Sequence, residues 1–210
     1  MKDRLNAFSD KLRRAVSQLP PTETAAGLSV WENMRGLFDY LDDFYSDCML
    51  MDMSIKTLLQ TDSVWVSAYR AMSFQRLAAR DGAMSLYHIG VALEHVRGQT
   101  ATCKTWRELA DTDALKEIEK DFKAKFPHFV RMRHAIGHQA ELRKSPKKIE
   151  QHFSGEPIQK WANVSGTKFE MTRDGEILTV DVGNATLNFL VSLMERLLNA
   201  YSVVVETEKP

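Results

Sequence analysis

The spacing of the apolar residues is the feature that most restricts how this chain can fold. Through most of its length, apolar side chains recur every three or four positions, which is the period of one face of an α-helix. The longest such run extends from about residue 29 to residue 59 and predicts one long helix. Its apolar positions are Trp31, Met34, Leu37, Phe38, Leu41, Tyr45, Cys48, Met51, Ile55 and Leu58.

Further helices are predicted on both sides of this run. A first amphipathic helix stops at Pro20-Pro21, and "PPTETAAG" follows as a linker. A third helix begins after Asp62 or Ser63, either of which can cap a helix N-terminus. A shorter, charged helix is expected from Trp106 to Ala124, and Pro127 opens the helix after it.

The segment near the C-terminus has a different pattern. "TKFEMT" and "ILTVDV" flank "RDGE", and an Asp-Gly pair between such segments predicts a β-hairpin at about residues 167–182. After Gly183, Asn184 can cap a last helix. The expected fold class is therefore mainly α, a helical bundle with a small C-terminal β-hairpin before the last helix.

Length and composition fit one globular domain. A chain of 210 residues that is 44% hydrophobic can bury a full core. No composition shift marks an internal boundary, so a single domain is expected over residues 1–210. Residues 1–28 would form the N-terminal helix and linker, and residues 29–205 would form the bundle with its hairpin.

Charge and cysteine content limit the kind of protein. The formal net charge is zero, so binding of a polyanion requires a local basic patch. Cys48 and Cys103 are too few and too widely spaced for a disulfide framework or a cysteine-based zinc site. Charges interrupt the N-terminal segment, and no apolar run reaches the length of a membrane span. We therefore expect a cytoplasmic protein with reduced thiols and no membrane association.

The stretch "PHFVRMRHAIGHQAELRK", from Pro127 to Lys144, concentrates the candidate chemistry. It holds three of the six histidines together with three arginines. On a straight helix Arg131, His134 and His138 fall within roughly 60° of one another, whereas Arg133 lies elsewhere. Guanidinium groups bind phosphodiesters and imidazoles transfer protons near neutral pH, so phosphate chemistry is one interpretation.

Two other interpretations of the histidines stay open. His134 and His138 have the spacing of a helical zinc site, although Ala135 stands where a metalloprotease has its glutamate and no third ligand is identifiable. Alternatively, the histidines are only structural. The basic run that follows, with Arg143 and Lys144, would supply attraction to a nucleic-acid backbone or be an ordinary solvated loop.

The long predicted helix also carries an acidic face. Its aspartates have no matching Lys or Arg in the pattern, and the face is interpreted as solvated or as a docking surface for a basic partner. The aspartates are Asp39, Asp42, Asp43, Asp47 and Asp52.

Two segments carry a family resemblance. "RHAIGH", Arg133 to His138, resembles the arginine, polar residue, three residues, histidine signature of HEPN domains. "ARDGAMSLYH", followed by the motif helix, a hairpin and a last helix, is similar to the AbiU-type branch of that superfamily, which is linked with abortive infection. The similarity covers about residues 30–205.

The resemblance implies a metal-independent endoribonuclease that needs no cofactor and acts in phage defence or a toxin-like system. Arg133 would stabilise the scissile phosphate, His138 would act as general base or acid, and His134 would orient or assist them. Arg131, Arg143 and Lys144 are expected to bind the RNA. The motifs of two protomers would share one cleft, which implies a homodimer, with an antitoxin or defence-system protein as a further partner.

Two features depart from the family pattern. Some HEPN toxins have a modified tyrosine two residues after the motif histidine, and this chain has Ala140 there. A straight helix also separates Arg133 from His138 by about 140°. Either the helix ends or kinks at Gly137, or the two residues meet across a dimer, or Arg131 is the more important arginine. A non-catalytic HEPN module that binds RNA or a partner protein is the alternative function.

Overall fold

A computed structural model describes residues 2–60, 65–137, 145–147 and 162–206 of the chain. Within these ranges the chain forms eight helices and one antiparallel sheet of three strands, which confirms the mainly helical class. The elements are α1 (Lys2–Ser17), α2 (Thr24–Gln60), α3 (Trp65–Thr102), α4 (Lys104–Leu109), α5 (Thr112–Lys125), α6 (Phe129–Gly137), β1 (Asn163–Ser165), β2 (Lys168–Arg173), β3 (Glu176–Asp181), α7 (Asn184–Ala200) and α8 (Ser202–Glu206).

The linker predicted after the two prolines is shorter than expected. The backbone amides of Glu23 and Thr24 both donate to the carbonyl oxygen of Pro20, at 2.8 and 3.1 Å, and this turn leads directly into α2. The end of the first segment packs closely on the start of α2. A Cβ atom on Gly27 would lie 2.3 Å from Leu19 Cδ1, so glycine permits this approach.

The helix predicted from Trp106 to Ala124 is two helices, so that prediction was wrong. The helical conformation is interrupted between α4 and α5. There the side chain of Asp111 accepts a hydrogen bond from the amide of Ala114 at 2.9 Å and caps the N-terminus of α5. The amide of Asp111 donates to the carbonyl of Ala200 at 2.9 Å. This contact with the end of α7 satisfies a donor that a continuous helix would have satisfied internally.

The chain divides into two compact units, and α2, α3 and α7 contribute residues to both. Unit one consists of the residues up to Asp42, His88–Lys125 and the residues from Phe189 onward. Unit two consists of Asp43–Tyr87 and Phe126–Asn188. The expectation of a single domain stays a prediction.

Aromatic packing and a buried hydrogen bond organise the core of unit one. Trp106 and Tyr201 are almost fully buried and meet edge to face, with ring centres 6.3 Å apart. The hydroxyl groups of Tyr201 and Thr100 share a hydrogen bond in this core. Burial raises the pKa of Tyr201, so its phenol stays neutral and serves packing.

The sheet of unit two has the strand order β1-β2-β3. β2 and β3 form the predicted hairpin, and Asp174 and Gly175 at its turn both have positive φ, 51° and 77°, as an Asp-Gly turn requires. Phe169 pairs with Val180 in the register of this hairpin, and both side chains are buried. The short strand β1 was not predicted.

Helix α3 lies very close to the end of this hairpin. A Cβ atom on Gly82 would lie 2.5 Å from Val182 Cγ1, a distance that real Cβ atoms do not adopt. The glycine therefore allows close packing of α3 on the residue after β3.

Both cysteines are free and buried. Burial and the nearby Asp47 raise the pKa of Cys48 to about 12, which keeps its thiol protonated. In the ranges given above, no helix has the length and apolar content that spanning a bilayer demands.

Candidate functional site

Helix α6 carries Arg131, Arg133 and His134, and it packs against β2 and β3 in unit two. The first helical hydrogen bond of α6 reaches back to the residue before the helix: the amide of Met132 donates to the carbonyl of His128 at 2.8 Å. The buried side of the helix is apolar and holds it on the sheet; it comprises Phe129, Met132, Ala135 and Ile136. Arg131, Arg133 and His134 are partly exposed, so α6 presents its polar groups from a well-anchored backbone.

Arg133 lies on an aromatic platform. Its guanidinium carbon is 5.6 Å from the centre of the Tyr87 ring, within the range of a cation–π contact. Tyr87 itself packs against Phe129, with ring centres 6.3 Å apart. The platform therefore joins α3 to α6 and links the two segments on which the family resemblance rests.

Arg133 also approaches its neighbour in sequence. Its Nη1 atom lies 3.4 Å from Nδ1 of His134. Because a guanidinium group has only donors, the imidazole nitrogen accepts, and a neutral His134 then carries its proton on Nε2. No carboxylate pairs with Arg133 in the part of the chain that the structure describes. Its remaining donors are therefore available for an anion.

Arg131 has a different environment. Its Nη1 atom lies 2.5 Å from Oε2 of Glu176 on β3, and both side chains are substantially exposed. The two arginines of α6 therefore differ in charge compensation: Arg131 has a carboxylate partner, whereas Arg133 has none among the described residues. An exposed ion pair of this kind contributes little stability, so Arg131 can exchange Glu176 for another anion at low cost.

Three of the predicted site residues lie outside the described residues. These are His138, Arg143 and Lys144, and their roles stay predictions. Gly137, the last described residue of α6, is exposed, and a Cβ atom there would meet nothing within 4 Å. A larger residue would therefore fit at this position.

The zinc interpretation relied on His134 together with His138. Over the described ranges, no three or more His, Cys, Asp or Glu side chains are arranged to hold a metal ion. The Nδ1 atom of His134 lies 3.4 Å from Nη1 of Arg133, which is a cation.

One aspartate of the acidic face of α2, Asp47, is buried, which the sequence did not indicate. Asp47 was assigned to a face interpreted as solvated or as a docking surface for a basic partner, but this residue is only 7% exposed and its Oδ2 atom has no hydrogen-bond partner among the described residues. Burial, and then the negative charges of Asp81 and Asp43, raise the pKa of Asp47 to about 7. The helical pattern placed Asp47 beside exposed aspartates, and only the tertiary packing shows that it is covered.

Asp52 also differs from the expectation. It was predicted to have no basic partner, but Nζ of Lys56 lies 2.5 Å from its Oδ2 atom, one helical turn further along α2. The pattern was misjudged because a lysine four residues later is a helix neighbour.

Comparison of the chain with protein-family models, with curated proteins and with solved structures found no match.

Proposed function

We propose that this chain is a HEPN-type, metal-independent endoribonuclease that acts in phage defence or a toxin-like system. The observation that carries the proposal is the guanidinium group of Arg133, which lies on Tyr87 beside His134 without a carboxylate partner among the described residues. A cation that is positioned and not neutralised suits a phosphodiester, because the negative charge on the phosphate grows in the transition state.

The proposed reaction uses the ribose of the RNA as the nucleophile. His138 accepts the proton of the 2'-hydroxyl, and the 2'-oxygen attacks the adjacent phosphorus atom. The bond from phosphorus to the 5'-oxygen breaks, the leaving oxygen takes a proton from water, and His138 returns the proton it accepted to the solvent. The products are a 2',3'-cyclic phosphate and a free 5'-hydroxyl end, and DNA is not a substrate because it lacks the attacking group.

The residues of α6 have separate roles in this scheme. Arg133 stabilises the charge on the phosphate, and His134 holds the guanidinium group through its Nδ1 atom. Arg131 releases Glu176 and binds the RNA backbone. Arg143 and Lys144 make further contacts with this backbone. Two protomers combine their motifs in one cleft, so the active species is a homodimer in the cytoplasm.

One observation favours the alternative, a non-catalytic module that binds RNA or a partner protein. The carboxylate of Glu176 lies against Arg131 and is itself exposed, so it places negative charge near the motif helix. That negative charge repels a phosphate and attracts a basic group of a protein partner.

Incubation of the protein with a mixed RNA pool in EDTA distinguishes the two functions. The proposal predicts cleavage by the wild-type protein, loss of cleavage in His138→Ala and Arg133→Ala, and unchanged cleavage in Arg107→Ala, a matched exposed arginine of α4. RNA that stays intact with every protein, while RNA or a protein partner still binds, would favour the non-catalytic module.

A further inference from the structure

One face of α3 carries a regular series of aromatic and basic residues. Tyr69, Arg76, Arg80 and Tyr87 follow one another at helical spacings, and at about 100° per residue they lie within roughly 40° of one direction. At about 1.5 Å per residue the series extends roughly 27 Å along the helix. We call these four residues the α3 track; all of them belong to unit two.

The N-terminal part of the track is exposed and basic. Tyr69 is 74% exposed, a large value for an aromatic ring, and Arg76 and Arg80 are exposed as well. No described carboxylate forms an ion pair with either arginine. The charge of these two side chains is therefore not compensated within the described part of the fold.

Apolar side chains flank the track and are also exposed. They are Met72 at 49% and Leu77 at 56%, one on each side of the track. A folded chain gains nothing by leaving large apolar groups beside unpaired arginines in water, so this combination indicates a surface that binds something.

The C-terminal end of the track is the platform of the candidate site. Tyr87 is its last residue, and the guanidinium group of Arg133 lies over the Tyr87 ring. The exposed arginines and Tyr69 therefore lie on the helix face that continues to Arg133, so a ligand that follows this face reaches the proposed catalytic cation.

We propose that the α3 track binds the single-stranded RNA that leads to Arg133, an inference that rests on the proposed function. Unpaired arginines neutralise phosphates, and exposed aromatic rings provide stacking surfaces for bases of any sequence. A protein partner would also cover the apolar flanks, but the excess positive charge complements a polyanion. The track thus supplies a substrate contact outside the motif.

Binding of a fluorescently labelled oligouridine, measured by anisotropy in EDTA, tests this inference. All proteins carry His138→Ala so that the probe stays intact. Arg76→Gln with Arg80→Gln should weaken binding and reduce the slope of log K against log salt by roughly 1.4, about 0.7 for each phosphate that is no longer neutralised. Arg4→Gln with Arg107→Gln removes the same charge from exposed positions in unit one and should leave the slope unchanged.

A second pair of variants separates stacking from charge. Tyr69→Ala should weaken binding of the same probe about fivefold or more, because the stacking surface is removed, and Tyr69→Phe should bind like the parent protein. The same change of affinity in Tyr69→Ala and Tyr69→Phe would contradict a stacking role for the Tyr69 ring.

The outcomes also separate this inference from the proposed function. If the double variant Arg76→Gln with Arg80→Gln keeps the affinity and the salt slope of the parent protein, the inference is overturned, even if His138-dependent cleavage occurs. Probe binding that requires the track, without cleavage of any RNA by the wild-type protein, would overturn the nuclease proposal alone. A change of oligomeric state in light scattering, with RNA affinity retained, would identify the track as a protein interface and overturn the inference.

Discussion

The guanidinium carbon of Arg133 lies 5.6 Å from the centre of the Tyr87 ring, so the motif helix and α3 meet at the candidate site. The contact fixes the position of a cation that has a second contact with His134 and no described carboxylate partner. Because this cation is already held in place, the site needs less reorganisation when negative charge develops on a bound phosphate.

Removal of the aromatic platform should reduce activity without removing the catalytic groups. Tyr87→Leu deletes the ring under Arg133, and a cation–π contact of about 0.5–2 kcal/mol corresponds to a loss of roughly 2- to 30-fold in the cleavage rate. Tyr87→Phe keeps the ring and should retain the rate. Single-turnover cleavage of RNA measures both variants, and equal rates for the two would show that the ring does not position Arg133.

The two arginines of α6 should have different effects. Arg133→Ala should abolish cleavage because the phosphate charge is no longer stabilised, whereas Arg131→Ala should weaken RNA binding and leave turnover largely intact. Separate measurement of kcat and KM distinguishes these effects. The reverse pattern would mean that Arg131, which straight-helix spacing predicts on one face with His138, is the catalytic arginine.

The close contact of Gly82 with Val182 predicts a stability effect of defined sign. Gly82→Ala forces a methyl group into Val182 and should reduce the free energy of unfolding by about 1–3 kcal/mol. Gly98→Ala, at a position of α3 with nothing within 4 Å, should raise it by about 0.5–1 kcal/mol. Urea denaturation measures both, and Val182→Ala should restore part of the stability that Gly82→Ala removes.

Asp47 should make the stability of the protein depend on pH. Its pKa is about 7 in the folded chain, above the ordinary value of 3.8, so folding takes up a proton between these values. Stability should therefore fall as pH rises from about 4 to about 7, and the penalty, as much as roughly 4 kcal/mol, is fully present above pH 7.

The variant Asp47→Asn tests this effect because it mimics the protonated acid. Its melting temperature should exceed that of the wild type clearly at pH 8 and only slightly at pH 4. Asp39→Asn, at an exposed position of the same helix, should show no such dependence. A wild-type protein that is most stable at pH 8 would contradict the assignment.

Much of the fold followed from local patterns. The long helices and the hairpin were predictable because their apolar spacing and the Asp-Gly turn are local properties of the sequence. β1 was missed because its three residues, Asn163–Ser165, are too few for an alternating pattern to be recognised. The break before α5 was also missed, since the amide of Asp111 finds its acceptor at Ala200, far away in the sequence.

The candidate site was predictable only in part. The basic and imidazole groups of α6 were visible in the sequence, and helical spacing separated Arg131 from Arg133. The partners of these arginines, Tyr87 and Glu176, come from α3 and β3, and no periodicity relates them to α6. The burial of Asp47 is likewise a tertiary property, because the sequence shows only an aspartate among others on one helix.

Mass spectrometry of RNA cut in the presence of EDTA identifies the cleavage chemistry from the ends of the products. The proposed mechanism predicts 2',3'-cyclic phosphate and 5'-hydroxyl ends from the wild-type protein and a rate reduced on the order of 100-fold or more in His138→Ala. Ends that carry a 5'-phosphate, cleavage only after a divalent metal is added, or equal cleavage by His138→Ala would contradict it.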